Sequence, residues 1–376
     1  MTPRGDTATA SFLNALRNPK HVKRLLDAIK ELAAEPVAIM EVCGGHTRTI
    51  VRYGLEQLLP QEIRFLHGPG CPVCVTPRER VDMAVALAQK RGLVLATLGD
   101  MLRVPGSSGS LLQARASGCD VRVVYSPLDV PALAKQNPKK TVVFFAIGFE
   151  TTAPTTAALL ERCLMEGIAN IKVLVNHFLV APAIEALLKE DSSRINAFIA
   201  PGHVCTITGT MPFEPLASSY LKPFVVSGFE PWDILLGLHT LLSMLANNET
   251  GVKIAYTRAV LPQGNPKALS FIERFFDVRE SFRWRGLGNI PKSALGLKSE
   301  FSAFDAEKAY ADVFSADSKS DPEACLCGEV LKGNAKPSEC SLFGQACTPQ
   351  NPIGACMVSS EGACGIYFRY KGREPA

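Results

Sequence analysis

The chain has 376 residues, of which 47% are hydrophobic, so it can bury more than one folded core. Its 40 Lys and Arg residues nearly balance 36 Asp and Glu residues, and a formal net charge of +4 gives no reason to expect a nucleic-acid partner. The N-terminal segment contains no clean apolar stretch, and no later segment reaches the ~18 apolar residues of a membrane span. We therefore expect a cytoplasmic protein that binds neither nucleic acid nor a membrane.

Short β-branched runs alternate with helical patterns through the middle of the chain. The sequence predicts strands at Val37–Val42, Arg64–Leu66, Leu93–Thr97, Val121–Tyr125, Thr141–Ile147, Ile171–Asn176, Ala197–Ala200 and Phe224–Ser227. Apolar residues at three- and four-residue spacing predict helices at Ile50–Leu59, Glu79–Lys90, Thr155–Glu166, Ile184–Glu190 and Trp232–Leu245. This alternation is typical of mostly parallel sheets with helices on their faces.

The predicted fold class is α/β, with two parallel-sheet domains flanking a cleft and a smaller, irregular, mostly helical C-terminal region that is rich in cysteine. An N-terminal helical segment is expected at residues 1–34, followed by the first α/β domain at 35–135. A polar, proline-containing stretch around Lys135–Lys140 suggests the boundary with a second α/β domain at 136–260. Residues 261–376 form the helical and cysteine-rich remainder.

Twelve cysteines need an explanation in a cytoplasmic chain, because a reducing compartment does not maintain structural disulfides. Cys43 stands alone, Cys71 and Cys74 form a Cys-x-x-Cys pair, and six more cysteines lie between positions 325 and 364. Metal binding or redox chemistry is the natural interpretation of this distribution.

Cys43 follows an apolar strand, and Gly44, Gly45 and His46 come after it, ahead of a helical run. The positive end of a helix dipole would favour a thiolate there, which binds metals or attacks electrophiles. His46 could ligate a metal, donate a proton or hydrogen-bond the adjoining loop. The alternative is a buried small residue beside an ordinary loop histidine. A position at the carboxyl edge of a parallel sheet, where such sheets bind ligands, favours function.

Cys71 and Cys74 precede a helix whose capping box runs from Thr76 to Glu79. Such a pair can form a short-range disulfide or hold a metal, and a helix start lowers the pKa of a thiol. A complete zinc site would need a second pair of ligands, and none is suitably spaced in this part of the sequence.

A polar loop that joins another strand to a helix contains Glu150, Thr151 and Thr152. Its backbone amides and hydroxyls could hold an anion or a polar ligand, although such a loop is more often only a helix cap. It lacks the glycine and lysine pattern of a nucleotide site. Asp100 and His203 lie in similar loops after other strands, so these five residues are candidates for lining one cleft.

The densest group of cysteines lies near the C-terminus and comprises Cys325, Cys327, Cys340, Cys347, Cys356 and Cys364. This segment has too few apolar runs to build its own core, so an inorganic centre is expected to organise it. Four thiolates suit a 4Fe-4S cluster or a structural zinc, and spacing alone does not choose which four of the six bind. The wide, uneven gaps favour iron–sulfur over a zinc ribbon, whose ligands come as two close pairs.

Taken together, these motifs resemble the hydrogenase maturation factor HypD family over nearly the whole chain. The resemblance rests on the segments Cys43-Gly-Gly-His46-Thr, Gly-Pro-Gly-Cys71-Pro-Val-Cys74, Gly-Phe-Glu150-Thr-Thr and Pro-Gly-His203-Val, and on the C-terminal cysteines. The family's Cys-x14-Cys-x6-Cys-x16-Cys pattern falls on Cys325, Cys340, Cys347 and Cys364. The resemblance implies that these four hold a 4Fe-4S cluster and that the other two C-terminal cysteines do not.

Members of that family act with a small partner, HypC, as the scaffold on which the Fe(CN)2(CO) group of nickel–iron hydrogenase is assembled, with cyanide delivered by HypE. The resemblance implies that Cys43 binds the iron, with His46 beside it, and that the cluster and the Cys71/Cys74 pair supply electrons. The hydrogenase large-subunit precursor would be an indirect partner. This is assembly of a metal group rather than conventional enzymatic turnover. A stand-alone iron–sulfur thiol–disulfide oxidoreductase and a zinc-stabilised interaction scaffold remain as alternatives.

Overall fold

The structure is a computed structural model that describes residues 18–190, 193–313 and 321–371. The strands are β1 (Val37–Glu41), β2 (Ile63–His67), β3 (Leu93–Thr97), β4 (Val121–Val123), β5 (Thr141–Gly148), β6 (Ile171–Phe178), β7 (Ala197–Pro201), β8 (Pro223–Ser227), β9 (Gly251–Ile254), β10 (Phe276–Val278), β11 (Ser281–Trp284), β12 (Gly288–Pro291) and β13 (Ala294–Leu297). The strands predicted from the sequence are all present as β1 to β8, with small shifts at their ends.

Helices follow most of the strands. They are α1 (Pro19–Leu32), α2 (Gly44–Arg52), α3 (Leu55–Leu58), α4 (Pro72–Val75), α5 (Arg78–Gln89), α6 (Leu111–Ala116), α7 (Val130–Gln136), α8 (Ala153–Met165), α9 (Val180–Leu188), α10 (Gly202–Thr208), α11 (Glu214–Tyr220), α12 (Pro231–Ala246), α13 (Pro266–Phe275), α14 (Ala306–Ala309), α15 (Cys327–Leu331) and α16 (Ala363–Tyr370). The predicted N-terminal helical segment contains α1, while residues 1–17 lie outside the described residues.

Two sheets hold most of these strands. The first has the order β2-β1-β7-β8-β9 and is parallel throughout. The second has the order β10-β13-β6-β5-β3-β4, in which β13 runs antiparallel to both of its neighbours and the other pairs are parallel. Strands β11 and β12 form a separate antiparallel pair. The predicted α/β class with mainly parallel sheets is therefore confirmed.

The division of strands between the sheets differs from the boundary suggested at residues 135 and 136. The chain leaves the first sheet after β2, builds β3 to β6 of the second sheet, and then returns at β7 to pair with β1. The polar stretch Lys135–Lys140 is only the connection from α7 to β5 within the second sheet. Polarity marks a surface loop, and it does not show which distant strands pair.

The expectation of a mostly helical region beyond residue 261 was wrong for its first part. Strands β10 to β13 lie there, and β13 joins the second sheet by pairing with β6. These strands have only three or four residues each, too few to show the alternation that identifies a strand in a sequence. Past Asp321 the described chain consists of turns and short helices, as expected.

Apolar side chains of both sheets meet in one core with the C-terminal segment. Phe198 and Phe224 of the first sheet, Phe145 and Phe178 of the second, and Trp284 all belong to this cluster. Seven of the cysteines lie in it as well, namely Cys71, Cys74, Cys205, Cys327, Cys347, Cys356 and Cys364. Most of the cysteines of this protein are therefore buried in its interior.

Separate apolar clusters cover the opposite faces of the two sheets. Helices α1, α2 and α12 pack on the first sheet, and α7, α8 and α13 pack on the second. No helix in the described ranges combines the length and the apolar character that crossing a bilayer requires.

Candidate functional site

Cys43 lies at the junction of β1 and α2, at the carboxyl edge of the first sheet. It is the N-cap residue of α2, and its carbonyl oxygen accepts hydrogen bonds from the backbone N–H groups of His46 (2.8 Å) and Thr47 (3.2 Å). The backbone N–H of Gly44 donates to the carbonyl of Gly70 (3.1 Å). A Cβ on Gly70 would lie 2.3 Å from the Cys43 nitrogen, so the loop before Cys71 packs directly on this turn and only glycine fits there.

The C-terminal segment closes on the same turn. A Cβ on Gly44 would lie 2.2 Å from the carbonyl oxygen of Glu361. The Cys43 thiol is buried, and burial raises its pKa well above the usual value, with the negative charges of Glu361 and Glu41 adding to the effect. The helix start favours the thiolate, as the sequence suggested, but burial acts in the opposite direction and disfavours the charged form. Binding of a soft metal cation would offset this cost and displace the thiol proton.

His46 and His203 meet at one aromatic side chain. The ring of His46 stacks on Phe229 with centroids 4.8 Å apart, and His203 stacks on the same ring at 3.8 Å. His46 Nε2 lies 3.2 Å from the carbonyl oxygen of Ser227, whereas Nδ1 is buried without a hydrogen-bond partner among the described residues. Burial lowers the pKa of His46 to about 4, so the ring is neutral at pH 7.

A cavity of about 350 Å³ opens beside this histidine stack. It is lined by Gly45, Arg48, Thr49, Arg52, Tyr53, His203, Phe229, Glu230, Ser360 and Glu361. A Cβ on Gly45 would lie 3.7 Å from the Cys43 sulfur, so the cavity wall is next to the thiol. The side chains that reach the cavity carry charges of both signs, and a polar ligand or the polar end of a partner chain suits it.

Asp100 approaches the same region from the second sheet. It lies in the turn after β3 and accepts a hydrogen bond from the Ser359 hydroxyl (3.1 Å), two residues before Glu361. Thr152, by contrast, contacts its own turn and β6, since its hydroxyl donates to the carbonyl of Phe149 (3.2 Å) and lies 3.5 Å from Nδ1 of His177. Thr151 is half-buried in the same turn.

Glu150 and Cys205 extend the buried group around Cys43. One carboxylate oxygen of Glu150 accepts a hydrogen bond from the N–H of Val180 (3.0 Å), and the other is buried without a partner in the described part of the chain. Burial raises the pKa of Glu150 to about 7. Burial also raises the pKa of Cys205, and the charges of Glu150 and Cys43 raise it further. Sequence reasoning had left Cys205 without a role.

The raised pKa of Glu150 predicts a pH dependence of folding stability. The folded protein keeps this proton up to about pH 7, whereas the unfolded chain releases it near pH 4.5. The stabilisation that comes from binding this proton in the folded state is therefore fully present below pH 4.5. As the pH rises to 7, the free energy of unfolding falls by up to about 3 kcal/mol. We expect Glu150→Gln to lack this fall in urea titrations across that range. Parallel pH profiles for the two proteins would contradict the prediction.

Cys71 and Cys74 form a disulfide, with their Cα atoms 5.2 Å apart. Both are buried, and the Cys71 sulfur caps α4 by accepting a hydrogen bond from the N–H of Cys74 (3.2 Å). Helix α4 packs against β5 of the second sheet and against the turn Ala355–Met357 of the C-terminal segment. The Cys-x-x-Cys pair thus contacts the C-terminal cysteine segment on one side, and its own loop reaches Cys43 on the other.

The six C-terminal cysteines separate into two sets. Cys327 and Cys356 form a second disulfide, with Cα atoms 6.2 Å apart. The other four of these six cysteines are free, and they are Cys325, Cys340, Cys347 and Cys364. Burial raises the pKa of the Cys364 thiol, and the charges of the other three free cysteines raise it further, so these four thiols lie near one another. They are the same four that the family pattern selects.

The donor chemistry of these four thiols limits what kind of centre they could hold. In the described residues, no group of three His, Cys, Asp or Glu side chains is arranged as a site for a single metal ion. Four thiolates are a common ligand set both of a structural zinc and of a 4Fe-4S cluster. Their residue types therefore fit either centre.

A buried polar network under Cys43 was missed by sequence reasoning. Glu41 accepts hydrogen bonds from the Cys43 N–H (3.1 Å) and from the Thr47 hydroxyl, and it lies 2.8 Å from Nδ1 of His67. His67 Nε2 lies 2.9 Å from the hydroxyl of Tyr367. The signal available in the sequence was that two apolar strands each end on an ionisable residue, Glu41 and His67. The structure shows that these two residues are paired neighbours in the sheet.

The fold and this site define a class: an α/β protein with a buried thiol at a sheet edge and, elsewhere in its described residues, two disulfides and a C-terminal group of four free cysteines. Comparisons with known proteins identify the family. Residues 20–371 match the HypD family model, whose description is "Hydrogenase formation hypA family". The chain is 45% identical over 374 residues to the hydrogenase maturation factor HypD of Rhodobacter capsulatus, which covers 97% of this chain and 99% of that protein.

Two further relatives agree. The chain is 47% identical over 358 residues to the HypD of Rhizobium leguminosarum bv. viciae, covering 93% of this chain and 92% of that protein. It is 43% identical over 370 residues to the HypD of Escherichia coli (strain K12), covering 96% and 99%. The chain belongs to the HypD family of hydrogenase maturation factors.

Proposed function

We propose that this protein, together with a small HypC-like partner, is the scaffold on which the Fe(CN)2(CO) group of nickel–iron hydrogenase is assembled. Cyanide would come from a HypE-like donor, and the hydrogenase large-subunit precursor would receive the product. The observation that carries the proposal is the position of Cys43, a buried soft sulfur on which the Cys71 loop and the C-terminal cysteine segment both close. The family's role in hydrogenase maturation supports its broader part.

The chemistry of Cys43 suits an iron substrate. A thiolate is a soft ligand, appropriate for iron that carries cyanide and carbon monoxide. Burial and the carboxylates of Glu41 and Glu361 keep the sulfur protonated until a cation arrives, so iron binding would be coupled to release of that proton. His46 is neutral, and because its Nε2–H faces the Ser227 carbonyl, the unpartnered Nδ1 presents a lone pair that could bind the metal.

The cysteines provide a route for electrons toward this site. A Cβ on Gly354 would lie 2.8 Å from the Cys325 sulfur and 3.4 Å from Cβ of Cys327, so Cys325 of the four-thiol site adjoins the Cys327–Cys356 disulfide. Cys356 lies in the turn that packs on α4, which carries the Cys71–Cys74 disulfide. The spatial order is therefore four-thiol site, second disulfide, first disulfide and then Cys43.

A 4Fe-4S cluster held by Cys325, Cys340, Cys347 and Cys364 would supply single electrons from an external donor. Each disulfide takes up two electrons and two protons to give two thiols. In a reducing compartment such as the expected cytoplasm, disulfides are more often catalytic than structural, which supports a redox role for both pairs.

Replacement of Cys71 tests the thiol relay. We expect Cys71→Ser to leave the fold and the C-terminal metal content intact, because Cys71 lies outside the four-thiol site, yet to reduce hydrogenase activity of a complemented strain to background. Cys119→Ser is the control, since Cys119 is a half-buried free cysteine outside the site. Wild-type activity in the Cys71→Ser strain would rule out the relay.

Infrared spectroscopy of the anaerobically co-purified chain and small partner tests the function itself. Bands in the cyanide and carbonyl stretching regions are expected. Metal analysis should find about four irons with acid-labile sulfide in the chain alone. A cluster without the infrared bands would leave the stand-alone thiol–disulfide oxidoreductase, and zinc without sulfide would leave the interaction scaffold.

A further inference from the structure

The buried network under Cys43 connects three distant parts of the chain. Glu41 ends β1, His67 ends β2, and Tyr367 lies on α16, about three hundred residues further along. All three side chains are almost completely buried. Buried polar groups of this kind are costly unless each hydrogen bond is made, so loss of any one member loosens the others.

Two features tie this network to the cysteines. Glu41 accepts hydrogen bonds from the Cys43 N–H and the Thr47 hydroxyl, so it fixes the first turn of α2. Tyr367 lies one helical turn after Cys364 on α16, and its ring packs with Ile366 against Val51 of α2. Helix α16 carries both Cys364 and Tyr367. Among the described residues, the Tyr367 hydroxyl is the group of this network that links α16 to His67.

We infer that Tyr367 is a positioning residue, which through His67 and Glu41 holds the Cys43 backbone in place and keeps its thiol enclosed. The Glu41 carboxylate has three partners, namely the His67 ring on β2, the Thr47 hydroxyl on α2 and the backbone N–H of Cys43. Removing the tyrosine hydroxyl leaves His67 Nε2 buried without its partner, and the least costly relief is opening of the turn that carries Cys43. This inference goes beyond the proposed function, because it requires neither iron nor a partner protein.

The rate at which iodoacetamide alkylates Cys43 tests the inference. The rate is followed on the full chain by mass spectrometry of the peptide that contains Cys43. In Tyr367→Phe the aromatic ring keeps its packing and only the hydroxyl is lost. We expect Cys43 to be alkylated about fivefold faster in this variant than in the wild type, because its buried turn opens more often.

Thr156→Val is the matched control. The Thr156 hydroxyl lies 2.9 Å from Nε2 of His177, which is also buried, but this pair belongs to the second sheet. Thr156→Val therefore removes the same kind of hydrogen bond, and should lower the melting temperature similarly without accelerating alkylation of Cys43. Equal acceleration in both variants would overturn the inference, since it would show general loosening.

Thr47→Val supplies a second arm that does not disturb α16. It removes a different donor from the same Glu41 carboxylate, and it should also accelerate alkylation of Cys43. Rates equal to the wild type in both Tyr367→Phe and Thr47→Val would overturn the inference. Because alkylation is measured without iron, a negative infrared result and a negative alkylation result can be told apart.

Discussion

Replacement of Cys43 by alanine is expected to abolish the cyanide and carbonyl infrared bands of the anaerobic complex with the small partner. The physical reason is that Cys43 carries a free thiol at the edge of the first sheet, behind Gly45, which lines the cavity that His203 and Arg48 also line. Without it, the iron substrate loses its soft protein ligand. Infrared difference spectra of the two purified complexes measure the effect, and hydrogenase activity of the complemented strain should fall with it.

Cys163→Ala is the control for this experiment. Cys163 is also a buried free cysteine, but it lies on α8 in the apolar cluster on the far face of the second sheet. Its replacement removes a buried sulfur of the same size and should leave the infrared bands unchanged. Bands at wild-type frequencies in Cys43→Ala would show that another residue holds the iron.

Replacement of Cys340 by alanine is expected to remove the 4Fe-4S cluster that we propose for the C-terminal segment. Cys340 is only half-buried, and loss of such a sulfur by itself changes stability by no more than about 0.5 kcal/mol. A ligand to a metal centre behaves differently, because the centre organises the turns around it. We therefore expect iron and acid-labile sulfide to be lost together, along with the protection of residues 321–371 from proteolysis.

Cys119→Ala is the comparison for this variant, since Cys119 is likewise half-buried and free. It should retain full iron and sulfide content and wild-type resistance to proteolysis. If Cys340→Ala also kept its iron and sulfide, the set of four ligands would have to be revised.

The strands of the two sheets could be predicted because each is a short apolar run bounded by turn residues, as β3 shows with the same limits in the sequence and in the structure.

The helix after Cys43 was harder to predict. The sequence pattern placed it at Ile50–Leu59, whereas α2 begins at Gly44 and ends before Gly54, which adopts a positive φ. Glycines at 44 and 45 disfavour a helix locally. Close packing against Phe229 and Glu361 requires glycine at these two positions. The local sequence pattern cannot show these contacts, because both residues lie far away in the chain.

The candidate site shows the same limit. Its cysteines were visible in the sequence because sulfur is rare and its spacing is informative. The Cys327–Cys356 disulfide was not predicted, and neither were the contributions of His67, Tyr367 and Glu361, because these depend on the approach of segments far apart in the chain. The protonated state of Cys43 also follows from burial, which the position of a residue before a helix does not reveal.

The pairing of β1 with β7 has a consequence for biosynthesis. Strand β1 lies between β2 and β7, so one of its edges is bare until the ribosome has released residues beyond Pro201. Closing so long a loop slows folding, and an unpaired central strand is prone to associate with other chains. The enclosure of Cys43 is finished later still, when Glu361 docks on Gly44. The thiol therefore stays accessible during synthesis and becomes enclosed only after the segment around Glu361 has been made and has docked.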